Sequence, residues 1–101
     1  MSPNLTIDRL KLDGFCRKNH IRWLALFGSA LRSDFRPESD VDILVRFDQA
    51  HMPGLIRMGA MSAELSVLLA GRAVDFLTPE DLSDYFRDDV LSKAEVLYEQ
   101  S

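Results

Sequence analysis

Apolar positions along the chain alternate between helical spacing and short continuous runs. Across residues 6–19, Ile7, Leu10, Leu12, Phe15 and Cys16 recur mostly at helical intervals. That predicts a helix, with Thr6 as its cap and Gly14 as a mild weakness. The run IRWLALF, Ile21–Phe27, ends at Gly28 and predicts a buried strand. Residues 29–33 read as a short helical turn and residues 34–39 as a loop around Pro37. The run VDILVRF, Val41–Phe47, is β-branched and apolar and predicts a second strand.

Pro53 and Gly54 open a segment reaching about residue 70, in which Leu55, Met58, Met61, Leu65, Leu68 and Leu69 mark one face of an amphipathic helix. Gly71 suits its C-terminal cap. Residues 73–77 (AVDFL) predict a third strand. Thr78-Pro79-Glu80-Asp81 then reads as a helix start: a capping hydroxyl, a proline in the first turn and acids near the positive end of the dipole. The pattern stays helical to about residue 98, with a break near Asp88 and Asp89. The resulting order, α-β-α-β-α-β-α, predicts an α/β domain of two or three layers with a small sheet.

Composition narrows the class. At 101 residues the chain suits one domain spanning 1–101, and 47% apolar with 28% charged residues is ordinary for a folded protein. Twelve basic against 16 acidic residues give a net charge of −4, which argues against general nucleic-acid binding. It leaves room for a small phosphate-bearing ligand held locally. One cysteine, Cys16, excludes an internal disulfide and zinc-finger spacing. No basic-then-apolar leader and no membrane-length apolar run is visible, so a cytoplasmic location is expected.

The chemistry concentrates between residues 27 and 45. Asp40 and Asp42 stand two apart at the start of a strand, so alternation puts both on one face. Like charges that close call for a cation, a shared proton or full solvation. Oxygen donors of this kind suit Mg²⁺ or Mn²⁺. Asp75 lies inside an apolar strand, where an acid is costly unless paired or metal-bound. If the second and third strands are neighbours, Asp75 completes a carboxylate triad. Gly28-Ser29, at a strand end opening a helical turn, favours a phosphate. A lone Asp-x-Asp pair also occurs as a solvated loop acid beside a turn cap, and Gly-Ser is common in turns. The informative feature is the joint order of strand, Gly-Ser, ten residues, Asp-x-Asp, strand and in-strand Asp.

That order resembles the GSx10DxD signature of the polymerase-β-like nucleotidyltransferases, residues 30–39 forming the ten-residue spacer. The chain length and the strings VDILV and AVDFLTPEDL are most similar to the minimal nucleotidyltransferases, the antitoxin halves of HEPN/MNT toxin–antitoxin pairs. The resemblance implies a small mixed sheet with flanking helices. It implies that Gly28 and Ser29 hold a nucleoside triphosphate and that Arg32 matches the arginine of the family's GSxxRG string. Ser33 replaces the usual glycine there. It further implies that Asp40 and Asp42 bind two divalent metals and that Asp75 is the third carboxylate. The implied activity moves AMP from ATP, with Mg²⁺, to a hydroxyl, a tyrosine on a cognate HEPN ribonuclease toxin, as in a type VII pair. Two alternatives remain open. One is a non-catalytic antitoxin that neutralises by binding; the other is the nucleotide-binding subunit of a two-chain small-molecule nucleotidyltransferase.

The remaining notable residues receive bland readings. His20 and His51 lack metal-ligand spacing and read as loop or surface residues, and Cys16 and Trp23 read as packing. Tyr85 and Tyr98 are assigned to the last helix. Met52, Met58 and Met61 read as core or partner-facing, and Arg36 and Arg46 as cations near the site or on a solvated face.

Overall fold

The computed structural model describes residues 7–31 and 40–100. Asp8 caps helix α1 (Arg9–Lys18): its Oδ1 accepts from the N–H groups of Leu10 at 3.0 Å and Lys11 at 3.2 Å. Two donors that the first helical turn leaves open are thereby satisfied. Thr6, the cap expected from the sequence, lies outside the described residues, as do Arg32, Ser33, Arg36 and the loop around Pro37. Strands β1 (Ile21–Phe27) and β2 (Val41–Phe47) fall where the apolar runs place them. The turn after β1 is a 3₁₀ helix, Gly28–Leu31.

Helix α2 (Leu55–Leu68) carries β2 across to the parallel strand β3 (Val74–Leu77). Parallel neighbours need such a crossover. Its C-terminus closes through two bonds: Gly71 N–H donates to the Ser66 carbonyl at 2.8 Å and Ala70 N–H to that of Val67 at 3.2 Å. This is a Schellman arrangement, and Ala70, not Gly71, occupies its left-handed position at φ 61°.

The sequence reading fails after Thr78. Asp81 accepts from the Thr78 N–H at 3.0 Å and hydroxyl at 3.1 Å, but the turn it caps, Pro79–Asp81, is a single 3₁₀ turn. Helix α3 is short (Arg87–Lys93), and Glu95–Glu99 form a fourth strand, β4. Tyr98 therefore lies on a strand. Arg87 holds the bend that separates the two turns: Nε donates to the Pro79 carbonyl at 2.7 Å and Nη2 to that of Leu82 at 2.9 Å. The run Val96-Leu97-Tyr98 is rich in strand formers, and it pairs with the ladder that β1 offers.

The sheet order is β3-β2-β1-β4, with β2 and β3 parallel and the other pairs antiparallel. The expected small mixed sheet with flanking helices is thus present. On one face, Leu24, Leu26, Val41, Ile43 and Val45 pack with Leu12, Phe15 and Cys16 of α1 and with Met61 and Leu65 of α2. Alternation turns Ala25, Asp42 and Leu44 to the other face. There α3 lies against β1 and the Pro79–Asp81 turn against β2, leaving Ala25 and Leu44 fully buried.

Cys16 is part of that core, and burial, helped by the charge of Asp13, pushes its thiol up to about 12 from an ordinary 9.0. The folded state therefore holds this proton more tightly. The resulting stability is complete below about pH 9 and is lost as pH rises towards about 12. A thiol reagent at pH 8 is expected to leave native protein unlabelled and to label one group per chain in denaturant. Rapid labelling of the native chain would show that the α1–sheet packing opens.

Candidate active site

Two backbone registers build the site. Phe27 at the end of β1 lies opposite Asp42 on β2, and Asp42 lies opposite Asp75 on β3. Adjacent strands run about 4.8 Å apart and paired residues share a face, so Asp42 and Asp75 are side by side. The Val41 N–H donates to the Ala73 carbonyl at 2.8 Å, which fixes the start of β2 against β3. Asp40 stands just ahead of β2 and is exposed, as is Asp75, whereas Asp42 is half-buried.

Gly28 supplies the third wall. Its φ of 65° is left-handed, and a Cβ there would run into the Asp42 carboxylate, whose Cγ would lie 3.3 Å away. Both the conformation and the space require glycine. The Gly28 backbone and the Asp42 carboxylate are therefore packed against each other. Ser29 follows in the same 3₁₀ turn; its side chain, like Arg32, lies outside the description.

Among the described residues, no three His, Cys, Asp or Glu side chains are gathered as a metal-holding cluster. The residues nonetheless fit a divalent cation. Strand register holds two carboxylates as neighbours, a cation would relieve their repulsion, and carboxylate oxygens are the hard donors that Mg²⁺ takes.

A cleft of about 540 Å³ opens beside Gly28, lined by Phe27 and Leu31 and by Asp89, Val90 and Lys93 of α3. Lys93 and Asp89 pair at 3.2 Å on its rim. This wall is hidden in the sequence, where the helical pattern after Thr78 runs α3 into a longer helix. A larger cleft of about 690 Å³ lies at the far end of the β1–β2 pair, where Arg46 stands 5.4 Å above the Trp23 ring. Neither Asp42 nor Asp75 lines it.

His20 and His51, far apart in sequence, stack at 3.8 Å between ring centroids. The Asp48 N–H donates to the His20 carbonyl at 2.9 Å, which draws the two loops together. Asp48 is held below the usual carboxylate range, chiefly by the Ala50 N–H; desolvation opposes this in part, and the nearby His51, Arg22 and His20 each add a lesser lowering. Sequence spacing gave no sign of this contact.

A mixed sheet carrying neighbouring acids on the parallel pair at one edge, with a glycine turn pressed against the inner of the two, defines a nucleotidyltransferase domain. The chain belongs to the polymerase beta nucleotidyltransferase family, whose model matches residues 11–101. A Methanocaldococcus jannaschii protein named as a protein adenylyltransferase is 29% identical over 91 residues, covering 90% of this chain and 95% of that one. A solved minimal nucleotidyltransferase is 29% identical with a TM-score of 0.69, covering 85% of each chain. Two toxin–antitoxin structures share the fold. One, with AMP-PNP, is 22% identical with a TM-score of 0.71 and covers 94% of this chain and 76% of that one. The other, from Shewanella oneidensis, holds a tri-AMPylated HEPN toxin with its MNT antitoxin. It is 22% identical with a TM-score of 0.62 and covers 91% of this chain and 70% of that one. No helix among the described residues is long and apolar enough to cross a membrane.

Proposed function

We propose that this chain transfers AMP from ATP, with Mg²⁺, to a tyrosine hydroxyl of a HEPN-type toxin, and so acts as the antitoxin of a type VII pair in the cytoplasm. The observation that carries the reading is the packing of Gly28 against Asp42 with Asp75 in register beside it. Gly28 and Ser29 would offer backbone N–H groups to the triphosphate, Gly28 adding a surface without a Cβ, and Arg32 would add positive charge. Asp40, Asp42 and Asp75 are the residues that would hold the metal, one or two ions. Mg²⁺, when bound, supplies charge neutralisation at the phosphates. The acceptor oxygen forms its bond to the α-phosphorus as the bond to pyrophosphate breaks. Asp75, exposed like Asp40, would take the hydroxyl proton. The apolar cleft of Phe27, Leu31 and Val90 beside Gly28 supports a nucleoside in the same site. The toxin–antitoxin complexes that share this fold support the choice of acceptor.

The test is intact-mass measurement of the partner toxin after incubation with this chain, ATP and Mg²⁺. One or more AMP additions, made at well below one equivalent of this chain, are expected. The double variant Asp40→Ala/Asp42→Ala should leave the toxin unmodified and active even in excess. If that variant silences the toxin as well as the unaltered chain does, neutralisation is by occlusion and the catalytic reading is wrong.

A further inference from the structure

Helix α2 is apolar on two sides. Met61 and Leu65 face the core. At 100° per residue, Ile56, Ala60, Ala63 and Val67 fall within about 60° of one another on the opposite side. Ile56 is 92% exposed and Val67 75%, and Leu55 and Met52 extend the apolar surface at 91% and 62%. A surface helix ordinarily turns charge to water there, and one that is apolar all round is ordinarily covered. The 14 residues of α2 carry only two charges, Arg57 and Glu64.

Those two charges identify the cover. Both project from the same flank of the stripe, about 100° and 80° from Ile56. The stripe is centred between residues 61 and 62. A twofold axis through that centre sets Ile56 against Val67 of a second copy and Ala60 against Ala63, and the small residues let the helices close. The same axis keeps the charged flanks together. With a rise of 1.5 Å per residue, Arg57 of one copy comes within about 3 Å, along the helix axis, of Glu64 of the other, and the pair occurs twice. Lys18 already contacts Glu64 through Oε2, so Arg57 of the second copy would meet a carboxylate engaged on one oxygen.

We propose that the exposed face of α2 is the seat of a second copy of this chain, giving an antiparallel, twofold dimer with reciprocal Arg57–Glu64 pairs. The inference does not depend on the proposed reaction. Because Asp42 projects from the sheet face opposite α2, both sites remain open in the dimer.

Sedimentation equilibrium of the full chain at tens to hundreds of micromolar tests this. A mass twice that of the 11.5 kDa chain is expected. Ile56→Asp should give a folded monomer whose thermal midpoint no longer depends on protein concentration and is lower only by the lost linkage to dimerisation, since the side chain lies outside the core. Arg57→Glu and Glu64→Arg should each weaken the dimer roughly tenfold at low salt, and the two together should restore it. A chain that stays monomeric throughout overturns the proposal. So does a dimer indifferent to Ile56→Asp, or one in which the double exchange restores nothing.

Discussion

Asp42→Asn is expected to lower nucleotidyl transfer by about 100- to 1,000-fold or more, the usual cost of removing one charge-stabilising group from an active site. The exchange keeps the shape that fits against Gly28, so the fold should persist. Relief of repulsion from the neighbouring Asp75 should leave the thermal midpoint unchanged or slightly higher. Ligand linkage gives a second readout. Mg²⁺ with a non-hydrolysable ATP analogue binds only the folded state and should raise the midpoint of the unaltered chain, but much less that of the variant. Unfolding of Asp42→Asn under mild conditions would instead make the carboxylate a structural group.

Gly28→Ala should cost both stability and activity. A left-handed conformation costs an L-residue about 1–2 kcal/mol, and for a chain of this size that lowers the midpoint by about 4–16 °C. The new methyl must also displace the Asp42 carboxylate, and misplacing a reacting group by about 1 Å costs on the order of 100-fold in rate. Gly71→Ala separates the two effects. Its φ is 83°, but a Cβ there meets nothing within 4 Å. It should lose comparable stability and keep its activity. Equal activity losses in both variants would mean that the Gly28–Asp42 contact has no part in the reaction.

How much of this was legible in the sequence follows from where the determinants are local. β1 and β2 could be bounded because a continuous apolar run flanked by Gly28 at one end and polar residues at the other has few other readings. Asp75 could be assigned to a strand, and the condition that β3 neighbours β2 is met. β4 was missed because Glu95–Glu99 alternates weakly: Val96 is 45% exposed while Leu97 and Tyr98 are both buried. What makes this segment a strand is the vacant edge of β1, more than 65 residues away in sequence. Arg87 is similar: its two carbonyl partners define a bend, and nothing in an Arg-Asp-Asp string announces one. The close approach of Gly28 to Asp42 also needed the antiparallel register, since the motif gives spacing along the chain and not across the sheet.

The late position of β4 has a consequence for how the protein is made. β1 is an interior strand only because residues 95–99 lie along its second edge. During synthesis that edge, in the apolar run IRWLALF, stays open until almost the whole described chain has emerged. An open edge of that composition is a template for pairing between nascent molecules. β4 closes it with a strand bearing an acid at each end, Glu95 and Glu99, and so exchanges a sticky border for a charged one. Loss of the last strand should therefore show itself first as insolubility, before any defect in chemistry can be measured.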